Sequence, residues 1–379
     1  MSSTSIGLRN GLAQELAGSG HLTNPLLRDA FAATPRELFL GDHFFRQTGT
    51  AWEPVHRDRL GEREWLALIY QDATWVTQVD GVHAADASGP LSGRPTSSST
   101  LPSLVVRMIE LAGIRPGDKI LEIGTGTGYS TAILCRFAGD GFVHSVEYDG
   151  DLATRAADRI RAAGHSPHLV TGDGLAGYKA GADYDAIVAT CAVRHIPPAW
   201  LWQLREGGSI TTTISGWMLA SGLIRLTLGE DGTATGRFAD DPVSYMLARP
   251  HERPPRPAFH QQLGQARVTT TDPGLLQHWT GRFVAQLAAP SAELMTTSDE
   301  VLLFDTATGS QAWTEPSGAS WIVHQHGPLR LWDQIEAALT TWRNAGAPGH
   351  SAFGMTVDFD NRQTIWLGQP DGPSWDLPA

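Results

Sequence analysis

The stretch Lys119-Ile-Leu-Glu-Ile-Gly-Thr-Gly-Thr-Gly-Tyr129 decides how the chain folds. Its first five residues are mostly apolar, which predicts a short buried strand. The three glycines that follow allow a tight turn and let backbone N–H groups come close to a ligand. The pattern from Tyr129 onward predicts a helix, so the stretch encodes a strand, a glycine turn and a helix in direct succession.

Strand and helix patterns alternate on both sides of this turn, from about residue 101 to 250. Such alternation predicts a doubly wound, mostly parallel α/β sheet of the Rossmann-like class. The predicted strands are 119–123, 142–146, 168–170, 184–189 and 207–213, and the predicted helices are 101–113, 129–137, 151–163 and 198–204.

Composition and turn signals divide the chain into three predicted regions. Residues 1–100 form an N-terminal helical, substrate-side region, with a loop at 80–99 that is rich in Gly, Ser, Ala and Pro. Residues 101–250 form the α/β domain. A proline-rich linker at 251–257 leads to a C-terminal α+β accessory domain, 251–379. That domain holds seven of the 13 tryptophans, which pack a core and are also candidates for peptide recognition.

The formal net charge of −12 predicts a surface that repels phosphate backbones and anionic lipids, so nucleic-acid and membrane partners are not expected. Cys135 and Cys191 cannot build a disulfide framework, and their spacing predicts no metal site. Neither a signal peptide nor a membrane span is recognised, so we expect a cytoplasmic protein. The sequence leaves the oligomeric state open.

Acidic residues follow or end three successive predicted strands, and together they predict a cofactor cleft. Glu122, just before the glycine turn, would repel a pyrophosphate but can accept a hydrogen bond from an amino group. Glu147 stands about 20 residues beyond the turn, where a carboxylate grips ribose hydroxyls. Asp173 can bind an adenine amino group. A glycine motif alone is a weak signal, because a nicotinamide fold uses a similar one.

The three acids together predict S-adenosylmethionine (SAM) as the cofactor and S-adenosylhomocysteine (SAH) as its product. The predicted cofactor-binding residues are Glu122, Gly124, Thr125, Gly126, Gly128, Tyr129, Glu147, Tyr148, Gly172, Asp173, Gly174 and Thr190.

Further motifs resemble the protein-L-isoaspartate O-methyltransferase family over about residues 20–250. They are Thr34-Pro-Arg-Glu-Leu-Phe39, Val170-Thr-Gly-Asp-Gly-Leu-Ala-Gly-Tyr178, Tyr184-Asp-Ala-Ile187 and Leu204-Arg-Glu-Gly-Gly208. The resemblance implies a class I methyltransferase sheet and a SAM-dependent carboxyl O-methyltransferase.

The family's acceptor-side motif, Thr-Ile-Ser-x-Pro, corresponds here to Pro95-Thr-Ser-Ser-Ser-Thr-Leu-Pro102. Thr96 and Ser98 match its hydroxyl residues, while the Ile and the nearby Pro are replaced. The resemblance implies that Thr96, Ser98 and Ser99 are the catalytic candidates, since hydroxyls orient a carboxylate without neutralising it. The alternative is that this Ser-rich run is an ordinary loop before a helix.

Pro95–Ser99, Glu122–Tyr129, Ala189-Thr-Cys-Ala-Val193 and the C-terminal extension are similar to a variant of the family associated with ATP-grasp peptide maturases. This resemblance implies methylation of an aspartate side chain in a side-chain-cyclised ribosomal peptide (a graspetide), followed by aspartimide formation. Its partner would be the modified precursor peptide. Two alternatives stay open: an L-isoaspartyl repair methyltransferase and a non-catalytic peptide-binding module.

Overall fold

The structure is a computed structural model that describes residues 3–255, 260–296 and 300–378. It contains two compact units: Met1–Thr190 with Ala199–Thr211, and Cys191–Pro198 with Thr212–Ala379. This division differs from the boundaries expected near residues 100 and 250. The end of the expected linker, Arg256-Pro257, lies outside the described residues.

The N-terminal part of the first unit combines short helices with a five-stranded antiparallel sheet. Its helices are α1 (Ser3–Gly18), α2 (Pro25–Ala33), α3 (Arg36–Leu40), α4 (Arg57–Leu60) and α5 (Glu62–Ile69). Its strands are β1 (His43–Thr48), β2 (Ala51–His56), β3 (Trp75–Val79), β4 (Val82–His83) and β5 (Pro95–Ser99). The sheet order is β2-β1-β3-β4, and β5 pairs with β3. The prediction of a loop throughout 80–99 is therefore wrong for Val82–His83 and Pro95–Ser99.

The remainder of the first unit is a parallel sheet with helices between its strands. Its elements are α6 (Pro102–Ala112), β6 (Ile120–Ile123), α7 (Tyr129–Ala138), β7 (Val143–Glu147), α8 (Gly150–Ala162), β8 (His168–Thr171), β9 (Tyr184–Val193), α9 (Pro198–Trp202) and β10 (Leu204–Ile214). The strand order is β10-β9-β6-β7-β8. β6 pairs in parallel with β7 and β9, and β7 with β8. The predicted α/β class is confirmed.

Strands β6 and β7 lie in the interior of the first unit, which explains the mostly apolar sequence of β6. Every residue of both strands is buried, as expected for central parallel strands covered by helices on both faces. Because these strands are parallel, their carboxyl ends meet at one edge of the sheet. The glycine turn and the acidic residues of the sequence pattern are located at that edge.

The second unit contains two sets of antiparallel strands. One set has the order β11-β12-β18-β19-β20, and the other has the order β13-β17-β16-β15-β14. The strands are β11 (Gly222–Leu228), β12 (Ala234–Phe238), β13 (Gln265–Thr269), β14 (Ala292–Thr296), β15 (Val301–Asp305), β16 (Gln311–Ser317), β17 (Ser320–His326), β18 (Phe353–Val357), β19 (Gln363–Leu367) and β20 (Ser374–Asp376). The helices are α10 (Trp279–Ala288) and α11 (Leu331–Asn344).

Aromatic side chains form part of the second unit's core. Phe283 contacts Phe238 and Phe353 with ring centroids 5.3 and 5.7 Å apart. Trp332, Trp342 and Trp366 are buried, so core packing explains these three tryptophans. No helix of the described residues is long and apolar enough to cross a membrane.

Candidate active site

The glycine turn between β6 and α7 adopts a backbone that requires glycine. Gly124 has φ +96°, and a Cβ there would lie 2.6 Å from Thr190 Oγ1. Gly126 and Gly128 also have positive φ, +54° and +88°. Thr190 supports the turn from β9 by donating its hydroxyl to the carbonyl oxygens of Gly124 at 2.5 Å and Ile123 at 3.1 Å. The turn is therefore fixed in shape without a ligand.

Glu147 ends β7 with its carboxylate against this turn. Its Oε2 accepts from the Gly126 N–H at 2.8 Å, and its Oε1 accepts from the Asp149 N–H at 3.0 Å. A carboxylate at this position can accept a pair of hydroxyl groups. Tyr148, the next residue, is 55% exposed at the same strand end.

Gly172-Asp173-Gly174 follows β8 and forms the third part of the edge. Asp173 is exposed, and its Oδ1 accepts from the Leu175 N–H at 2.9 Å. A Cβ at Gly174 would lie 2.4 Å from the Ile123 side chain, so this turn packs closely against the end of β6. The Gly174 carbonyl also accepts from Trp200 Nε1 at 2.8 Å. The structure thus places Asp173 near the end of β6, where the glycine turn begins.

Glu122 differs from the sequence expectation. Its side chain is fully buried, and its carboxylate accepts hydrogen bonds from the hydroxyls of Ser130, Thr131 and Ser145. Burial raises the pKa of Glu122 above its ordinary range, and the three hydroxyl donors offset part of this rise. The carboxylate is directed into the fold, so it braces the β6–α7 turn instead of presenting itself to a ligand amino group.

Two other predicted cofactor residues also point inward. Tyr129 is buried, with its ring centroid 5.8 Å from that of Phe39, and burial raises its phenol pKa. Thr125 is buried as well, and its Oγ1 lies 2.7 Å from Ser145 Oγ. Both side chains hold the turn from inside. The sequence pattern predicts Tyr129 and Thr125 as cofactor-binding residues but does not give the direction of their side chains.

The three catalytic candidates on β5 occupy three different environments. Ser99 is buried, and its hydroxyl accepts from Arg36 Nε at 3.3 Å. Thr96 donates its hydroxyl proton to Gln78 Oε1 at 2.7 Å and accepts from the Gly81 N–H at 3.1 Å. The Ser98 hydroxyl has no protein hydrogen-bond partner in the part of the chain that the structure describes. Ser98 is therefore the candidate whose hydroxyl is available to an acceptor.

Ser98 also lies beside the glycine turn. Its carbonyl oxygen is 3.8 Å from the position that a Cβ would take at Gly126, and its residue is half-buried. β5 therefore runs past the turn that Glu147 contacts. The first unit thus brings a free hydroxyl, a glycine turn and a carboxylate to one edge of its parallel sheet.

A group of potential metal ligands that the sequence analysis missed lies elsewhere in the first unit. Ligand atoms of Cys135, Asp140 and His165 all lie within 4.8 Å of one another. His165 Nδ1 is 2.8 Å from Asp140 Oδ1, and Asp140 also accepts from the Ser166 N–H. His165 lies 25 residues beyond Asp140, which explains why the spacing along the chain did not reveal the group.

Comparisons with known proteins agree with this geometry. The family model of protein-L-isoaspartate(D-aspartate) O-methyltransferase matches residues 50–220. A protein-L-isoaspartate O-methyltransferase of Pyrobaculum neutrophilum is 32% identical over 203 residues, which cover 52% of this chain and 80% of that protein.

The chain belongs to the protein-L-isoaspartate O-methyltransferase family. A relative from Ignicoccus hospitalis is 40% identical over 128 residues, which cover 33% of this chain and 61% of that protein. The chain spans between about half and two thirds of the length of the first four curated relatives it matches.

A solved protein-L-isoaspartate O-methyltransferase shares the fold along nearly the whole chain. It aligns with a TM-score of 0.55 at 20% identity, covering 95% of this chain and all of that one. The alignment extends into the residues after 251, so the C-terminal extension has a counterpart in the fold of that solved structure.

Sequence reasoning missed two residues that organise the site. Arg36 is fully buried and donates to the carbonyl oxygens of residues 69, 71, 73, 99 and 100. Gln78 is also buried and lies between Thr96 and Asp149. The motif Thr34–Phe39 contains Arg36 and gave a hint of its importance, whereas no sequence signal marked Gln78.

Proposed function

We propose that this protein is a SAM-dependent carboxyl O-methyltransferase whose acceptor is an L-isoaspartyl residue of a peptide or protein. The observation that carries the proposal is the position of Ser98, whose carbonyl oxygen lies beside the glycine turn that Glu147 contacts and whose hydroxyl has no protein partner among the described residues. The relatives support the acceptor class, because those aligned over most of their length are protein-L-isoaspartate O-methyltransferases.

The residues at the sheet edge fit SAM. The positive-φ glycines leave room for a ligand next to backbone N–H groups, and α7 begins directly after them, so its N-terminus favours the methionine carboxylate. Glu147 would hold the ribose hydroxyl pair, and Asp173 would accept from the adenine amino group. Glu122 would act indirectly, since its buried hydrogen bonds to Ser130, Thr131 and Ser145 hold the glycine turn in place.

The chemistry requires alignment more than proton transfer. Bound SAM supplies an electrophilic methyl group. An aspartyl-type carboxylate has an ordinary pKa of about 3.9, so it is already ionised near neutral pH and needs no general base. The Ser98 hydroxyl can donate to one carboxylate oxygen and leave the other directed at the methyl carbon. Such orientation of two reactants lowers a barrier by about 7–11 kcal/mol in favourable cases.

The test uses labelled SAM with a synthetic L-isoaspartyl hexapeptide and its matched L-aspartyl counterpart. We expect a base-labile methyl ester on the isoaspartyl peptide and SAH as the second product. Binding of SAH without transfer to either peptide would remove this acceptor from consideration. Absence of SAH binding by calorimetry would remove the proposed function altogether.

A second acceptor is supported by the departure of β5 from the family motif. Ser97 replaces the motif's Ile, is buried, and lies with its Oγ 3.2 Å from Thr77 Oγ1. The run Pro95–Ser99 is similar to the variant associated with ATP-grasp peptide maturases, whose acceptor is an aspartate of a side-chain-cyclised ribosomal peptide. On that substrate the methyl ester loses methanol when the next backbone nitrogen attacks, which leaves an aspartimide.

Mass spectrometry separates the two acceptors. A graspetide precursor cyclised by its own ATP-grasp ligase, incubated with SAM, should gain one methyl group and then lose methanol. A linear precursor is the matched control. Transfer to the cyclised peptide but not to the isoaspartyl hexapeptide would establish the second acceptor, and the reverse would exclude it. Tight binding of the cyclised peptide without transfer would favour a non-catalytic binding module.

A further inference from the structure

Gln78 is a polar residue in an unusual place. It lies on β3 and is only 1% exposed. Its Nε2 donates to Asp149 Oδ2 at 3.2 Å, and its Oε1 accepts from Thr96 Oγ1 at 2.7 Å. A carboxylate can only accept hydrogen bonds when ionised, so the amide nitrogen must face Asp149 and the amide oxygen must face Thr96.

Gln78 Nε2 also lies 3.5 Å from His83 Nε2, but its two shorter hydrogen bonds reach the two sides of the candidate active site. Thr96 lies on β5, two residues before Ser98, and both are half-buried whereas Ser97 and Ser99 are buried, so Thr96 and Ser98 lie on the same side of the strand. Asp149 follows Glu147 by two residues, and its own N–H donates to Glu147 Oε1 at 3.0 Å. Gln78 therefore joins the strand of the free hydroxyl to the turn of the proposed ribose-binding carboxylate.

The hydrogen bonds along this path all run in one direction. The Gly81 N–H donates to Thr96, Thr96 donates to Gln78, and Gln78 donates to Asp149. Although burial raises the pKa of Asp149, the hydrogen bonds from the Leu152 N–H, Gln78 and the Asp151 N–H bring it below its ordinary value. Asp149 therefore remains an acceptor at neutral pH, and none of the bonds reverses.

We propose that Gln78 is a positioning residue that couples the cofactor side of the site to the acceptor strand. It fixes the Thr96 hydroxyl, and thereby β5 and Ser98, relative to the Glu147–Asp149 turn. This inference rests on the proposed function, since it assumes that Glu147 meets the cofactor. It also changes the proposed role of Thr96 from catalytic to positioning. The Thr96 hydroxyl donates its one proton to Gln78, so this proton is not available to an acceptor carboxylate.

Hydrogen exchange with SAH as the probe tests the coupling without an acceptor. In the full-length protein, SAH should slow amide exchange both in the glycine turn, 122–129, and in the acceptor strand, 95–101. In Gln78→Ala, SAH should still protect 122–129, whereas the added protection of 95–101 should fall at least about fivefold. Gln286→Ala is the matched control, because Gln286 is a buried amide of the second unit bonded to the backbone of Ala220.

Variants of Thr96 show whether Gln78→Ala acts by breaking the coupling between cofactor and acceptor strand or only by weakening the fold. Thr96→Val should reproduce the effect of Gln78→Ala, the double variant should add nothing further, and Thr96→Ser should behave as wild type because it keeps the hydroxyl. On whichever acceptor is methylated, kcat should fall while SAH affinity stays within about threefold.

The possible failures are distinguishable. Equal protection of 95–101 by SAH in wild type and Gln78→Ala overturns the coupling but leaves the proposed function intact. Additive effects of Gln78→Ala and Thr96→Val overturn it as well, since residues on one path must be coupled. If wild type fails to bind SAH, the proposed function fails, and the inference fails with it.

Discussion

At the scale of single residues, Ser98 and Ser99 differ in their surroundings although one peptide bond joins them. The hydroxyl of Ser99 accepts from the buried guanidinium of Arg36. The carbonyl oxygen of Ser98 lies next to the glycine turn, and its hydroxyl has no protein partner among the described residues. Successive residues of a strand point to opposite faces, so we expect the two adjacent serines to have different roles.

The first prediction compares these two serines. Ser98→Ala removes a hydrogen bond to a charged acceptor, worth about 1.5–3 kcal/mol, and should lower kcat by about 10- to 100-fold. Ser99→Ala leaves a buried N–H unpaired and should lower the free energy of unfolding by about 1–3 kcal/mol, with kcat nearly unchanged. Single-turnover kinetics and urea unfolding check both. A larger kcat loss in Ser99→Ala than in Ser98→Ala would contradict this assignment.

The second prediction concerns pH and Glu122. Burial raises the pKa of folded Glu122 above its ordinary value of 4.5, so the folded protein keeps this proton where the unfolded chain has released it. The free energy of unfolding therefore falls as pH rises from about 4.5 through the raised value. The variant Glu122→Gln has no carboxyl proton to release, so its free energy of unfolding should lack this pH dependence.

Urea unfolding of wild type and Glu122→Gln between pH 4.5 and 8 measures the difference. The stability of wild type relative to the variant should decrease with rising pH, and SAH affinity of the variant should stay close to wild type. Parallel pH profiles, or a tenfold or greater loss of SAH affinity, would instead support direct contact of Glu122 with the ligand.

At the scale of elements, the strand–turn–helix unit β6–α7 depends on the backbone of its glycines. Gly124→Ala would force a Cβ at φ +96° to within 2.6 Å of Thr190 Oγ1. Strain of this kind costs about 1–3 kcal/mol, so SAH affinity should fall by about tenfold or more. Gly141→Ala is the control, since a Cβ there meets nothing within 4 Å. Calorimetry with SAH compares the two variants.

Arg36 connects α3 to the end of β5, and the fourth prediction addresses this connection. Burial lowers its pKa to about 10, so it remains charged near neutral pH. Arg36→Lys replaces a planar group of five N–H donors with three donors at one point, leaving several carbonyls unpaired. The free energy of unfolding should fall by about 3 kcal/mol or more. Arg115→Lys on the surface serves as the control in urea unfolding, and equal midpoints would refute the prediction.

The sequence pattern predicted those helices and strands whose signals lie within one short stretch of the chain. The run from Lys119 to Tyr129 contains the apolar strand, the glycine turn and the helix start within eleven residues, and all three form as expected. β5 was missed because Ser and Pro have low strand propensity, and its pairing with β3 is a tertiary interaction. The hydroxyl cage of Glu122 was missed for the same reason, since Ser145 reaches it from the neighbouring strand.

At the scale of the whole molecule, the division into units changes how the C-terminal part is best tested. Removal of all residues after Pro250 would cut through the second unit, because β12 pairs with β18 there and Phe238 packs on Phe283. The truncated chain should expose apolar surface and bind a hydrophobic dye. A single sharp melting transition at the wild-type midpoint, without dye binding, would show that the unit does not need these strands.

Chain order explains why this organisation escaped the sequence analysis. The proline-rich run near residue 251 is a good local boundary signal, but β11 and β12 precede it and still share a sheet with β18. Strand patterns predict that strands exist and say little about which strands are neighbours. A boundary drawn from composition therefore separated β11 and β12 from β18, with which they share a sheet.

The backbone contacts of Glu147 bear on selectivity. Each of its oxygens accepts one backbone N–H group, from Gly126 and Asp149. An ionised carboxylate oxygen has a second lone pair, so under the proposed function a ribose can add two hydrogen bonds to an acceptor that the backbone already holds in place. A nucleoside that lacks one of its two vicinal hydroxyls would leave one of these lone pairs without its partner. Under the proposed function, such a nucleoside should therefore bind more weakly than one that carries both hydroxyls.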